Sequence, residues 1–334
     1  MENTEHQQPE VKTSFSSRID LSKLQESVLK IKKELKKVII GQEDFIEFLI
    51  VSLLSNGHVL IEGVPGVAKT VTVKLLAKTI QTEFSRIQFT PDLMPSDVLG
   101  TSVLNMKTSE FEFKEGPIFS NLVLIDEINR APAKTQSALF EVMEEQQITI
   151  DGTEYKMKPP FMVLVTQNPI EQEGTYALPE AQLDRFLFKI NVGYPSLEEE
   201  IHIINSFGAR KGKTPEAIID AVITEKELAD YKSTIHDVLV EERIVTYIAT
   251  IISSTRNHPH LYLGASPRAS LAVFIAAKTF AAINNRDFVI PEDVKKSIYP
   301  VLRHRIILTP EREMEGMNTD KVIEMIIQSI EVPR

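Results

Sequence analysis

A glycine-rich stretch early in the chain carries residue types that bind phosphate. Residues 61–70 read IEGVPGVAKT, with Gly63 at its start and the pair Lys69-Thr70 at its end. In the pattern G-x-x-x-x-G-K-[ST], backbone N–H groups surround the anion, the lysine reaches the β- and γ-phosphates and the hydroxyl holds Mg²⁺. Ala68 stands where this pattern has its second glycine. By itself, the stretch is also compatible with an ordinary turn that precedes a lysine.

Two adjacent carboxylates lie further along the chain. Asp126 and Glu127 end the apolar run LVLIDE, which predicts a buried strand. An Asp at the carboxyl end of a strand suits the Mg²⁺ site beside a phosphate loop, and the following Glu can polarise an attacking water. Each residue alone is also compatible with a solvated acidic loop. The combination of both patterns favours hydrolysis of a nucleoside triphosphate.

Three further polar residues are candidates for a role at such a site, and each also has a structural alternative. Asn168 follows the predicted strand FMVLVTQN and can orient water or touch a γ-phosphate, although an Asn before Pro169 also suits a turn. Arg185, in LPEAQLDRF, can stabilise transition-state charge in a neighbouring subunit. Arg268, in GASPRAS, can contact phosphates from the first turn of a helix. Surface salt bridges are the alternative for both arginines.

These residues need a scaffold that brings strand ends together. Most of the predicted strands are apolar without alternation, as in a sheet covered on both faces, and helical patterns separate several of them. This order predicts a doubly wound α/β domain with a mainly parallel sheet. The predicted strands are 58–63, 85–90, 121–127, 161–168 and 186–192.

Two irregular segments interrupt this alternation. Residues 91–120 contain a predicted hairpin, and a second hairpin over 147–158 has Asp151-Gly152 at its turn. Upstream, an amphipathic helix is predicted from Ser22, with its apolar stripe at Leu24, Val28, Ile31 and Leu35 and with Gly41 at its C-terminal end.

The sequence pattern changes near Pro195, because no apolar run typical of a buried strand follows it. We therefore expect a polar N-terminal arm over 1–17, an α/β core over 18–195 and an all-helical domain over 196–334. The predicted helices of the last domain are about 196–207, 225–238, 241–257, 267–284, 291–300 and 318–331.

Composition excludes several kinds of site. The chain has no cysteine, so disulfides and thiolate zinc sites are excluded. The formal charge of −10 argues against a surface built mainly to grip nucleic acid. The N-terminus lacks the apolar segment of a signal peptide, and the longest apolar helix is too short to cross a bilayer. A cytoplasmic protein is the simplest expectation.

Four runs of the chain resemble the MoxR family of AAA+ ATPases. They are GVPGVAKT, LIDEINRAPAKTQSALFEVMEEQQITIDG, VTQNPIEQEGTYALPEAQLDRF and GASPRASL, and the resemblance extends from about Val38 to Gly316. The family is related to the magnesium-chelatase ATPase subunits and shares their insert in helix 2. The resemblance implies a P-loop core followed by a helical lid, with the insert over residues 91–120.

The resemblance also implies roles for individual residues. Glu127 matches the catalytic base, Asn168 sensor 1, Arg185 the arginine finger and Arg268 sensor 2, which together with Lys69 act on ATP. Thr70 and Asp126 match the Mg²⁺ site. Nucleotide-binding positions are implied for Ile40, Gly41, Gln42, Gly63, Val64, Pro65, Gly66, Val67, Ala68, Lys69, Thr70, Val71, Asp126 and Arg268.

For the whole protein, the resemblance implies a homo-oligomeric ring, commonly a hexamer, with the insert and the second hairpin facing a central pore. It also implies chaperone-like maturation of partner proteins, often ones with von Willebrand A domains or metal cofactors. A nucleic-acid motor and a nucleotide-binding scaffold without turnover are the alternatives. The charge argues against the first, and the intact set of Lys69, Asp126, Glu127 and Arg185 argues against the second.

The departure at Ala68 carries a structural prediction. A left-handed backbone costs a residue with a Cβ roughly 1–2 kcal/mol. We therefore expect Ala68 to be right-handed or extended, with the positive φ of the loop at Gly66. No firm role is predicted for Arg303 or Arg305 in VLRHRI beyond salt bridges that steady the lid.

Overall fold

A five-stranded parallel sheet lies at the centre of the protein. The computed structural model describes residues 18–167 and 176–333. The strands found there are β1 (His58–Gly63), β2 (Phe84–Gln88), β3 (Gly100–Asn105), β4 (Glu110–Glu115), β5 (Leu122–Asp126), β6 (Gln147–Ile150), β7 (Thr153–Lys156), β8 (Met162–Gln167), β9 (Phe186–Val192), β10 (Leu261–Leu263) and β11 (Ile307–Leu308). The central sheet has the order β2-β5-β8-β1-β9, and all its neighbours are parallel.

Helices cover the sheet and form the C-terminal part of the chain. Those in the described ranges are α1 (Ser22–Lys36), α2 (Glu43–Leu54), α3 (Lys69–Thr79), α4 (Pro95–Leu99), α5 (Ala133–Glu145), α6 (Glu180–Leu183), α7 (Leu197–Ala209), α8 (Glu225–His236), α9 (Glu242–Arg256), α10 (Pro267–Ile283), α11 (Pro291–Leu302), α12 (Pro310–Met314) and α13 (Thr319–Ser329).

The predicted α/β fold is confirmed. All five predicted strands of the sheet are present, and strands β5 and β8 are buried almost throughout, which explains their unbroken apolar runs. Parallel order places every strand's carboxyl end at the same edge, so the carboxyl ends of β1, β5 and β8 meet there.

The N-terminal helices differ in part from the expectation. The stripe of α1 is buried as predicted, at Leu24, Val28, Ile31 and Leu35. However, α1 ends at Lys36, so the prediction that Gly41 ends it is wrong; Gly41 (φ +77°) lies in the turn before α2. The sequence did not indicate α2 as a separate helix, because it is buried on nearly every side and lacks a polar face.

Both predicted hairpins are present. Strands β3 and β4 pair antiparallel within the 91–120 segment, and Met106 lies in their turn. Strands β6 and β7 pair around Asp151 and Gly152, whose φ values of 51° and 78° are those of the expected tight turn.

The chain after β9 is mainly helical, and the six long predicted helices correspond to α7, α8, α9, α10, α11 and α13. Ser266 caps α10 and Pro267 is its first residue. The domain division at residue 195 stays a prediction, and the expected arm at 1–17 lies outside the described residues.

Candidate functional site

The phosphate loop joins the carboxyl end of β1 to the N-terminus of α3. Gly63 closes the strand, and a Cβ on it would collide with the Val192 carbonyl of the neighbouring strand. Gly66 has φ +85°, in the left-handed region as predicted. Helix α3 begins at Lys69, so its first N–H groups point into the loop. The loop therefore has the backbone form of an anion site.

The predicted conformation of Ala68 is wrong. Its φ is 58° and its ψ 19°, which is left-handed. The loop thus contains two left-handed residues, Gly66 and Ala68, before the helix begins. The roughly 1–2 kcal/mol cost of the second is borne by surrounding contacts. One of these is the hydrogen bond from Gln42 Nε2 to the Val67 carbonyl at 2.7 Å.

Lys69 points back into the loop. Its Nζ donates to the Gly63 carbonyl at 2.7 Å. Partial burial lowers the pKa of Lys69, whereas the charges of Asp126 and Glu127 raise it. The lysine is thus held beside two carboxylates at the edge of the sheet, where phosphate oxygens can replace the carbonyl as its partner.

Asp126 ends β5 and is nearly buried. Its carboxylate accepts from Arg86 Nε at 2.6 Å and from the Thr166 hydroxyl at 3.1 Å. Glu127 follows with φ 58°, accepts from Gln88 Nε2 at 2.7 Å and pairs with Arg130 at 3.0 Å. Both carboxylates are therefore oriented by neighbouring strands.

Three residues of this site were not predicted: Arg86, Gln88 and Thr166. Arg86 and Gln88 lie on β2, and Thr166 lies on β8, the strands on either side of β5. Their only signal in the sequence is a polar residue near the end of a predicted strand. The order of the strands, which brings them to Asp126, cannot be read from the chain.

A cavity of about 180 Å³ joins these groups. Lys69, Thr70, Asp126 and Glu127 line it with the loop glycines Gly63 and Gly66. A hydroxyl and a carboxylate are oxygen donors of the kind that Mg²⁺ prefers, and the lysine and loop N–H groups suit phosphate. The residues present thus fit a Mg²⁺–nucleotide group.

A second cavity, of about 490 Å³, is lined by Ile40, Gly41, Gln42 and residues after β9. The Oε1 atom of Gln42 is buried without a hydrogen-bond partner in the described part of the chain. Because Gln42 also bonds to Val67, it connects this cavity to the phosphate loop. A free amide oxygen fits the amino group of a base.

Arg185 and Arg268 lie at the opposite end of the sheet from the phosphate loop. Arg185 directly precedes β9, whose first residue Phe186 is in register with His58, the first residue of β1. A strand of this length spans roughly 20 Å. Both arginines contact Glu144, Arg185 at 3.7 Å and Arg268 at 3.0 Å. The structure brings them together, but not into their own chain's phosphate cavity.

Arg305 fixes the segment that carries Arg185. It donates to the Asp184 carboxylate at 2.6 Å and to the Phe186 carbonyl at 2.6 Å, and its side chain is 3% exposed. The Ser266 hydroxyl donates to the same Asp184 at 2.9 Å. Arg303 forms the expected salt bridge within the helical part, to Asp320 at 2.8 Å.

The remaining predicted site residue, Asn168, lies outside the described residues. Val64, Pro65 and Val71 lie in or beside the loop after β1 as expected. Within residues 18–167 and 176–333, no cluster of three His, Asp or Glu side chains is arranged to hold a metal ion. No helix among them is long and apolar enough to cross a membrane.

Comparisons with known proteins agree with this geometry. Residues 58–188 match the model of the ATPase family associated with various cellular activities (AAA), and residues 253–326 match the AAA lid domain. Chaperone MoxR1 of Mycobacterium tuberculosis is 46% identical over 310 residues, which cover 90% of this chain and 81% of that protein.

Two further relatives cover most of the chain. The uncharacterized protein YeaC of Bacillus subtilis is 45% identical over 90% of this chain and 93% of its own. A solved structure from Cytophaga hutchinsonii superposes with a TM-score of 0.88 at 41% identity, covering 94% of this chain and 97% of that one.

Proposed function

Because the chain belongs to the MoxR family of AAA ATPases, we propose that it is a ring-forming ATPase that remodels or activates partner proteins. The observation that carries this is the cavity in which Lys69, Thr70, Asp126 and Glu127 meet. ATP hydrolysis follows from the family. These four residues perform it, and its energy changes the conformation of partner proteins.

Each residue of the cavity has its own role in binding or hydrolysing ATP. The N–H groups of the loop and Lys69 bind the phosphates, and Thr70 and Asp126 hold Mg²⁺. When bound, Mg²⁺ neutralises phosphate charge. Glu127 accepts a proton from the attacking water, and Asn168 orients that water. Gln42 accepts from the base through its free Oε1. Thr166 and Gln88 keep the two carboxylates oriented.

Arg185 acts on the ATP of a neighbouring subunit. It is separated from its own phosphate loop by the length of the sheet, and Arg268 lies beside it. Two guanidinium groups at one end of the molecule and a phosphate site at the other suit head-to-tail assembly, in which each site is completed by the next copy. A closed ring, commonly a hexamer, satisfies every subunit in this way.

The hairpin of β3 and β4 suits contact with a protein rather than with nucleic acid. It exposes Met106 (84%) and Phe111 (73%) beside an excess of glutamates on β4. Exposed apolar groups bind apolar segments of proteins, whereas nucleic-acid backbone requires lysine and arginine. Clients with von Willebrand A domains or metal cofactors are the partners that this proposal expects.

The test measures phosphate release with and without partners. A variant with Met106→Ser and Phe111→Ser should keep basal hydrolysis and lose its stimulation by a protein with a von Willebrand A domain. Met314→Ser, at an equally exposed position (82%), is the matched control. Stimulation by duplex or single-stranded DNA, with none by protein, would contradict the proposal and favour a nucleic-acid motor.

A further inference from the structure

Helix α7 is unusual in that none of its residues is buried against the described ranges 18–167 and 176–333. It exposes Leu197 (75%), Ile201 (52%), Ile204 (66%) and Phe207 (76%). These positions recur at spacings of four, three and three, so they form one stripe along the helix. We call this stripe the α7 stripe.

With 13 residues, α7 has a length at which isolated helices are marginal in water, so it requires packing against a partner. Within the described residues, the capping box of Ser196 and Glu199 and a hydrogen bond from Arg210 to the Val38 carbonyl (3.0 Å) hold its two ends. A contiguous exposed apolar stripe marks an interaction surface.

A second exposed apolar patch lies at the other end of the molecule. Leu271 (63%) and Ile275 (42%) are exposed on α10, beside a cavity of about 230 Å³ that Arg185 and Arg268 also line. We call this patch, with its two arginines, the arginine face. The exposed apolar side chains of the arginine face form a surface on which the α7 stripe can pack.

The charges beside the two surfaces are opposite. The first turn of α7 carries Glu198, Glu199 and Glu200. On the arginine face, Arg185 and Arg268 share a single carboxylate, that of Glu144, which leaves the face positive. Complementary charge steers association and fixes its register.

The positions of the α7 stripe and the arginine face determine which molecule the stripe contacts. Helix α7 follows the carboxyl end of β9, whereas Arg185 precedes its amino end, so the surfaces lie at opposite ends of the sheet. The first turn of α7 also borders the cavity of about 490 Å³, through Glu199. A contact between the surfaces of two copies therefore brings Arg185 towards the neighbour's nucleotide site.

We propose that the α7 stripe of one copy docks on the arginine face of the next copy, and that this contact builds the ring. The proposal rests on the proposed function, because it supplies the interface that trans action of Arg185 requires. The contact is heterologous, so repeating it gives a ring when the rotation between copies closes, and not a two-fold dimer.

The absence of cysteine allows a direct test by cross-linking. A chain with Ile204→Cys and Leu271→Cys, treated with a short bis-maleimide and a non-hydrolysable ATP analogue, should give a ladder of covalent oligomers. His202→Cys with Leu271→Cys is the matched control, because His202 lies on the opposite side of α7 and should give no ladder.

A second variant tests the energetic role. Ile204→Glu should raise the protein concentration required for assembly in sedimentation at least about tenfold, since it removes one buried apolar contact and adds a charge. His202→Glu should leave assembly unchanged. Because both positions are exposed in the single chain, both variants should keep the wild-type circular dichroism and melting temperature.

The outcomes separate this proposal from the proposed function. If the wild type hydrolyses ATP and assembles, yet the Ile204–Leu271 pair cross-links no better than the control, the docking is wrong and the ATPase proposal stands. A chain that stays monomeric contradicts both. If Ile204→Cys is protected from maleimide in the monomer and exposed by removal of residues 1–17, the chain's own arm covers α7 and the docking is overturned.

Discussion

Arg305 donates to Asp184 at 2.6 Å, and Asp184 directly precedes Arg185. The contact joins the turn that follows lid helix α11 to the segment that carries Arg185. Burial lowers the pKa of Arg305, and Asp184 opposes that change. The same guanidinium also donates to the Val301 and Phe186 carbonyls, both at 2.6 Å. Through these contacts the lid holds the segment that carries Arg185, the proposed arginine finger.

Arg305→Lys should reduce ATP turnover and leave nucleotide affinity unchanged. Lysine keeps the charge but cannot make the forked set of hydrogen bonds, so Arg185 loses its fixed position. We expect a fall in kcat of about tenfold or more, since misplacement by about 1 Å can cost 10²-fold. Arg303→Lys, at the salt bridge to Asp320, is the control.

A mixing experiment distinguishes misplacement of Arg185 in Arg305→Lys from a general loss of structure. Addition of Glu127→Gln subunits, whose Arg185 is intact, should restore part of the activity at the sites of the Arg305→Lys subunits. No recovery, or a weakened nucleotide Kd, would mean that Arg305 does not act through Arg185.

Ala68→Gly should stabilise the protein. Glycine removes the strain of a left-handed alanine, about 1–2 kcal/mol, but its greater entropy in the unfolded chain costs about 0.4–1 kcal/mol. The expected net gain is up to about 1.5 kcal/mol in the free energy of unfolding, measured by urea titration. Ala68→Val should lower it, because a β-branched residue fits a φ of 58° poorly. A destabilised glycine variant would argue that Ala68 is not strained.

Glu127→Gln should bind ATP and lose most of its turnover. The amide keeps the size of the side chain but cannot take a proton from water, which costs about 10²–10⁴ in rate for general-base catalysis. Nucleotide binding by calorimetry and phosphate release measure the two effects separately. Glu145→Gln, on α5, is the control, and wild-type turnover by Glu127→Gln would remove Glu127 from the mechanism.

Stability should fall in mild acid because of His58. Its Nδ1 accepts from the Val163 N–H at 3.0 Å and its Nε2 donates to the Met143 carbonyl at 3.2 Å, which requires the neutral ring. Burial lowers the pKa of His58 to about 4, from 6.5. Since the unfolded chain binds the proton first, the stabilisation is complete above the unfolded pKa and is lost as pH falls towards the folded one.

The expected loss from His58 is about 2 kcal/mol in the free energy of unfolding between pH 7 and pH 5. Urea titrations at both pH values measure it. His58→Gln should be less sensitive to pH over this interval, and His202→Gln, on the exposed α7, should behave as the wild type. Equal pH dependence in all three chains would show that His58 does not stay neutral.

The fold was predictable because buried parallel strands leave continuous apolar runs, and β5 and β8 are such runs. Lys69, Asp126 and Glu127 were identified because each follows a strand end or opens a helix. Arg86 and Thr166 were not predicted, because they reach Asp126 through the order of the strands, which the sequence does not show. The backbone of Ala68 and the contact of Arg305 with Asp184 depend on packing between distant segments, which local pattern does not contain.

Mixing two inactive variants tests the central claim, that each ATP site is completed by Arg185 of the next copy. Arg185→Ala subunits retain Glu127, and Glu127→Gln subunits retain Arg185. Each variant alone should release almost no phosphate, whereas mixed rings should regain activity at sites where an intact Glu127 meets a neighbour's Arg185. Mixtures of fully assembled rings that stay as inactive as either variant would contradict action of Arg185 across the subunit interface.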